Sequence, residues 1–302
     1  MSQVSGQSGG EPKLDVVETR LGPVEVAVVG EGAPVLVVHG TPGGWDQAAA
    51  MARFMTDDPS AGVKAILPSR PGYLATELGE RATIDAQADL HAALLDALGV
   101  ERVGVLCWSG GGPSSYRLAV RHPDRVRAVV SLDAVSKAYP RPHEDVPTRL
   151  MFTTRAGNWL LRAMSAHAPK QLIQATLDAE GSLSKAEVEQ RASEVFEDEA
   201  KRRFVLELDA SVLRHDGRQA GYDNDIDQFE AIETLELERI EAPCLIVQGG
   251  ADTDVTPDYS DFAAATIPNA ELLTLDGGTH LAFYTHPEAA GAQTRALELL
   301  LR

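Results

Sequence analysis

Hydrophobic residues along the chain follow two alternating periods. Short, nearly unbroken apolar runs recur at 24–29, 35–39, 64–69, 103–107, 126–132, 244–249 and 271–275. Runs without polar alternation read as strands buried on both faces, the mark of a mostly parallel sheet covered by helices. A first strand at 16–20 joins the 24–29 run through Leu21-Gly22-Pro23 as a hairpin. Between later runs, apolar residues recur at helical spacing. The stretch 83–98 repeats Ile84, Ala88, Leu90, Leu94, Leu95 and Leu98, with Thr83 placed to cap its start and Gly99 its end. Helices are also predicted after Pro113, at 259–266 and at 287–301.

The alternation stops after about residue 134 and resumes at Cys244. The intervening pattern is helical, at 149–164, 169–177, 185–199 and 202–213, with no convincing strand. The reading is an α/β fold with a mostly parallel central sheet flanked by helices. It has a disordered arm at 1–14, a core domain at 15–135 and 240–302, and an all-helical cap at 136–239 inserted after the sixth strand. An insertion there lies over the carboxyl ends of the strands, where open α/β sheets bind ligands. The first cap helix is rich in large apolar groups, including Met151, Phe152 and Trp159. They either pack the cap onto the core or line an apolar pocket, and Trp159 is placed among pocket candidates.

Composition narrows the partners. The chain has 302 residues, 44% hydrophobic, and a formal net charge of −18. Such an acidic surface argues against nucleic acid or an anionic membrane as partner and leaves a small-molecule substrate. No apolar run approaches the ~20 residues that span a bilayer. The polar N-terminus lacks a signal-peptide pattern. The two cysteines, Cys107 and Cys244, are read as reduced thiols at opposite ends of the sheet. Together these readings place the protein in the cytoplasm.

The chemistry gathers on the run 103–107 and the residues directly after it, Trp108-Ser109-Gly110-Gly111-Gly112-Pro113. A strand, a serine on a tight turn and a helix form a nucleophile elbow, which strains the serine backbone and exposes its hydroxyl. The positions two before and two after must be small, and they are Cys107 and Gly111. The helix N-terminus behind the serine favours a developing negative charge. A serine needs a base, and the base needs a group to orient it. His280 fits best among the eight histidines, in the glycine-rich loop after the 271–275 strand. The remaining seven are assigned to helices, caps or loops, with His39 holding the loop next to it. Asp252, after the 244–249 strand, is the preferred acid, with Asp254 second and Asp133 third. Gly110 and Thr41 are the expected N–H donors of an oxyanion hole. Trp45 and Trp108 are expected as apolar walls, Trp108 alternatively pointing into the core. No metal and no cofactor is required by these groups.

These four features, in this order and each after a strand, resemble the α/β-hydrolase superfamily from about residue 16 to 301. The resemblance rests on His39-Gly40-Thr41-Pro42-Gly43-Gly44, Cys107-Trp108-Ser109-Gly110-Gly111, Gly249-Gly250-Ala251-Asp252 and Gly277-Gly278-Thr279-His280. It implies a Ser–Asp–His hydrolase with a helical cap between the sixth and seventh strands. Cys107 replaces the usual first glycine of the elbow, and Thr279 departs from the histidine loop. Hydrolysis of a carboxylic ester or lactone is the leading expectation. Similar machinery serves proline-iminopeptidase-like peptidases and carbon–carbon bond hydrolases. A non-catalytic small-molecule receptor on the same scaffold is the alternative from another class.

Overall fold

The chain enters its sheet through the expected hairpin, β1 (Lys13–Thr19) and β2 (Gly22–Val29), paired antiparallel. The structure, a computed structural model, describes residues 13–142, 146–214 and 216–302. The expected N-terminal arm therefore lies mostly outside the described residues, as do His143 and His215. Its assigned end at residue 14 is corrected: Lys13 and Leu14 pair with Val28 and Ala27 in β1. Cross-strand pairing, which no local pattern reports, extends the strand into a polar stretch.

The core continues as β3 (Ala33–Val38), α1 (Trp45–Thr56), β4 (Val63–Pro68), α2 (Ile84–Ala97), β5 (Val103–Trp108), α3 (Gly112–Arg121) and β6 (Val126–Leu132). Helices α4 (Val146–Thr153), α5 (Arg155–His167), α6 (Pro169–Ala179), α7 (Lys185–Glu197), α8 (Glu199–Ser211) and α9 (Gln219–Glu230) all fall before the next strand. Then come β7 (Cys244–Gly249), α10 (Pro257–Thr266), β8 (Ala270–Leu275), α11 (Ala282–Thr285) and α12 (Ala289–Leu301). The sheet has eight strands in the order β1-β2-β4-β3-β5-β6-β7-β8. From β4 across to β8 every pairing is parallel. The nearly all-apolar runs are thus buried central strands, and every residue of β5 is buried.

Local signals account for several boundaries. The Thr83 side chain accepts the Ala86 N–H and starts α2, and Gly99 takes φ +65° behind it. The predicted helix at 149–164 is two helices, because Thr154 caps a new start by accepting the Gly157 N–H at 3.1 Å. Helices α1 and α9 were not expected from periodicity. In α9 the apolar stripe is broken by Asp225, a fully buried charge whose partners lie in the core domain.

Two apolar layers cover the sheet. One packs α2, α3 and α10 against it. The other joins α1, α11 and α12 to Ile173, Leu177, Val188, Val195, Phe204 and Leu208 of the helical insertion. Phe204 of α8 stacks on Tyr284 of α11 with ring centroids 3.8 Å apart. Helices α6 to α8 therefore share a core with the sheet. Cys107 and Cys244 are free thiols, both buried. They lie two strands apart and two residues out of register through Val129 and Ser131, closer than at opposite ends of the sheet. Two strand spacings of about 4.8 Å already exceed the reach of a disulfide.

Candidate active site

The carboxyl ends of β3, β5, β7 and β8 face a cavity of about 750 Å³, roofed by the insertion. Ser109 begins a sharp turn between β5 and α3 with φ +51°, in the left-handed region that costs a non-glycine residue roughly 1–3 kcal/mol. The close crossing behind it explains the small neighbours. A side chain on Gly111 would meet the carbonyl oxygens of Val38 and His39 at 2.5 and 2.7 Å. Cys107 packs fully buried on the other side, and burial pushes its thiol up to about 12, leaving it a small apolar residue rather than a reactive one. Cysteine thus does the spatial work of glycine at that position.

His280 follows β8 and is 3% exposed. Its Nδ1 donates to Asp252 Oδ2 at 2.7 Å, while its Nε2 lies 3.5 Å from Asp254 Oδ2. Asp252 is buried. Its Oδ1 accepts the Asp254 and Val255 N–H groups at 2.8 and 3.1 Å, and its Oδ2 also accepts Gln248 Nε2 at 3.3 Å. All of its lone-pair positions are occupied, so the carboxylate is fixed and has nothing left to offer a cation. Asp254 is more open, its side chain 44% exposed, and it accepts the Tyr139 hydroxyl at 2.7 Å. Burial disfavours the His280 imidazolium, but Asp252, and after it Asp254 and Glu180, outweigh burial and hold its pKa well above 6.5.

Thr41 lies beside Gly110, and a side chain on Gly110 would run into the Thr41 hydroxyl. The Thr41 loop is held by a buried charged network. Arg70, 1% exposed, donates to both oxygens of Asp225 at 2.9 and 2.7 Å, and to the Gly40 carbonyl and Thr41 Oγ1, each at 2.9 Å. Thr41 Oγ1 and Tyr73 Oη donate to the same Asp225 Oδ2 at 2.6 and 2.5 Å. His39 accepts the Arg70 N–H on Nε2 and donates from Nδ1 to the Gly40 carbonyl. Burial, then the Arg70 charge, hold it well below 6.5, so it is a neutral brace and not a second base. Arg218 of the insertion donates to the Gly43 carbonyl at 3.0 Å and pairs with Asp46.

The segment between α6 and α7 ties the insertion to the loops that carry Asp252 and His280. The Glu180 carbonyl accepts the His280 N–H at 2.9 Å, Gly181 forms a β-bridge with Asp252, and the Ser182 N–H donates to the Ala251 carbonyl at 2.8 Å. Thr279, which departs from the family pattern, lies directly against this segment. A side chain on Gly181 would meet Thr279 Cγ2 at 2.6 Å and the Ala251 carbonyl oxygen at 3.1 Å.

Ser109, Thr41, Gly110, Trp108 and His280 line one cavity, and Asp252 supports it from behind. Trp108 also donates to the His280 carbonyl at 3.2 Å and packs on its ring. Trp45 and Trp159 are not pocket walls. Trp45 packs half-buried at the start of α1, with its backbone N–H donating to Ser69 Oγ, and Trp159 is 70% exposed on α5. The α5 stripe turns Leu161 inward instead, and Leu161 lines the cavity with Met151, Phe152, Leu172, Ile226 and Phe229. Sequence reasoning missed Arg70, Asp225 and Glu180. The Arg70-Pro71-Gly72-Tyr73 turn at a strand end was a signal. Asp225 and Glu180 gave none: Asp225 is one of several acids on α9, and Glu180 is an acid just past the end of α6. Glu180 is pushed up to about 8 by burial and then by Asp254, and Asp209, also in the cavity wall, up to about 7 by burial.

Comparison with known proteins agrees with this geometry. The family model described as "alpha/beta hydrolase fold" matches residues 33–287. A solved alpha/beta hydrolase fold protein from Nakamurella multipartita is 52% identical, with a TM-score of 0.93 over 96% of this chain and 99% of that one. An uncharacterized hydrolase, YcgS, of Bacillus subtilis is 26% identical over 86% of this chain and 89% of its own length. A pimeloyl-[acyl-carrier protein] methyl ester esterase of Neisseria meningitidis is 26% identical over 80% and 88%. Sheet order, strand-end loops and these relatives together make the chain an enzyme, a member of the alpha/beta hydrolase family.

Proposed function

We propose that this enzyme is a serine hydrolase that cleaves a carboxylic ester or lactone through an acyl-enzyme intermediate. Ser109 attacks the carbonyl, and His280 takes its proton and returns it to the leaving alcohol. Asp252 fixes the His280 tautomer with Nε2 toward the cavity and stabilises the imidazolium. The Thr41 and Gly110 N–H groups receive the oxyanion, and water activated by His280 releases the acid. The observation that carries this reading is the fully bonded Asp252 carboxylate on His280 Nδ1, behind a cavity that also contains a strained serine. The name of the Neisseria relative, a methyl ester esterase, supports an ester as substrate.

In this reading residues 136–239 act as a cap over a core of 15–135 and 240–302. The apolar wall from Met151 to Phe229 sizes the substrate, and the volume suits a small or medium apolar ester. Two reduced thiols, and no helix among the described residues long and apolar enough to cross a membrane, support a cytoplasmic place. Glu180 and Asp209 in the cavity wall favour a second reading, a peptidase that holds a substrate amino group.

The test is turnover of p-nitrophenyl esters from acetate to decanoate, beside proline p-nitroanilide, with the parent and Ser109→Ala. Ester turnover that Ser109→Ala abolishes is the expected result. Anilide turnover without ester turnover transfers the assignment to the peptidase. Ester turnover that survives Ser109→Ala removes the serine mechanism.

A further inference from the structure

Asp133 is a carboxyl that the proposed mechanism leaves unused. It directly follows β6 with φ +43°, in the left-handed region that Asp tolerates better than most residues, and it is fully buried. Its Oδ1 accepts the Gly249 N–H at 2.7 Å. Its Oδ2 is buried with no hydrogen-bond partner. Such an orphan is costly, roughly 1–3 kcal/mol, and calls for an explanation. Asp133, Asp252 and His280 each have a polar side-chain atom within 4.8 Å of those of the other two.

We propose that Asp133 is a standby positioning acid for His280, a second carboxyl able to take the Nδ1–H when Asp252 is lost. The inference rests on the serine-hydrolase reading above. An Asp133 carboxyl oxygen lies within 4.8 Å of a His280 ring nitrogen, so a side-chain shift of about 2 Å brings the carboxyl into hydrogen-bond range of the imidazole. The two acids reach His280 from different strands, Asp133 from β6 and Asp252 from the loop after β7. A structural role alone, bracing Gly249 at the end of β7, uses only Oδ1 and leaves Oδ2 without purpose.

The charge balance explains why Asp133 is idle while Asp252 is present. Burial, and after it the Asp252 charge, hold the Asp133 pKa well above its usual value, so Asp133 keeps its proton. His280 lowers it, while Asp254 raises it further, and the Tyr284 hydroxyl also faces it. Removing Asp252 removes the largest charged opponent. That shift in balance favours the Asp133 carboxylate, the form that accepts the Nδ1–H.

The experiment is a double-mutant cycle of Asp252→Ala and Asp133→Asn, read as kcat/KM against pH on the best ester. Asparagine keeps the acceptor for Gly249 and suits the left-handed backbone, and circular dichroism and thermal melts establish that each variant is folded. Asp252→Ala is expected to lose less than the about 10⁴-fold seen when a triad acid is disabled. Asp133→Asn is expected to cost at least tenfold more in the Asp252→Ala background than in the parent. The residual activity of Asp252→Ala should fall as pH drops through the Asp133 pKa, and that limb should vanish in the double variant. An equal factor for Asp133→Asn in both backgrounds, or an Asp252→Ala variant as inactive as the double, overturns the proposal. Organophosphonate labelling of Ser109 in the parent separates the two readings: without labelling the serine mechanism fails, whereas labelling with a flat cycle removes only the standby acid.

Discussion

His280 has an acid at each ring nitrogen, and under the proposed mechanism the two acids have opposite consequences for rate. In that mechanism Asp252 on Nδ1 orients the base. Asp254, 3.5 Å from Nε2, favours the proton-bearing form that cannot accept from Ser109. Because the His280 pKa is raised, its charge contributes stability that is full below the unfolded value of 6.5 and is lost as pH rises through the folded value. Activity runs the other way, rising with pH through that same folded value. Asp254→Asn should therefore move the acid limb of kcat/KM to lower pH, by less than loss of a fully buried partner would, because Asp254 is partly solvated. It should leave the variant more active than the parent below that limb, measured on an ester whose leaving group does not titrate across the range. Asp252→Asn should lose activity at every pH. At this scale the sequence was legible where the chain itself forces a geometry. Ser109, His280 and Asp252 all sit in strand-end loops where glycines mark a tight path. The Arg70–Asp225 pair was not legible, because its residues are 155 apart and only the fold brings them together.

Elements were read well where one period dominates. The central strands are apolar on both faces, so their runs stand out whatever surrounds them. The helices of the insertion were blurred at their ends, because caps such as Thr154 and Asp198 interrupt a continuous apolar stripe without changing its period. The 180–182 segment could not be read at all. It pairs through backbone groups, and backbone pairing leaves no trace in side-chain chemistry. Its fit against Thr279 makes a prediction at this scale. Gly181→Ala puts a methyl group into the Thr279 side chain, an overpacking that typically costs about 1–3 kcal/mol. Because the pressure falls on the His280 loop, kcat should drop more than the melting temperature suggests. Thr279→Gly in the same molecule should restore much of it. Loss of KM alone, or no rescue, would place the effect elsewhere.

The whole molecule is more unified than its linear order suggests. A block of helices separates β6 from β7 along the chain, but the apolar layer that includes Val35 and Leu106 also includes Phe204 and Leu208. Calorimetry should show one cooperative transition, with van't Hoff and calorimetric enthalpies in agreement, rather than an early melt of the insertion. The attachment is uneven, however. Helices α6 to α8 belong to the large core, whereas α4 and α5 rest on a small cluster of Leu161, Leu172 and Leu213 with Met151, Phe152 and Met164 beside it. The β-bridge from Gly181 to Asp252 belongs to the firmly attached half. A roof stitched by its backbone to the loops of His280 and Asp252 cannot swing up as a door without displacing them. The loosely packed α4 and α5, which carry Met151, Phe152 and Leu161 of the cavity wall, are the part of the roof that can shift while His280 stays in place.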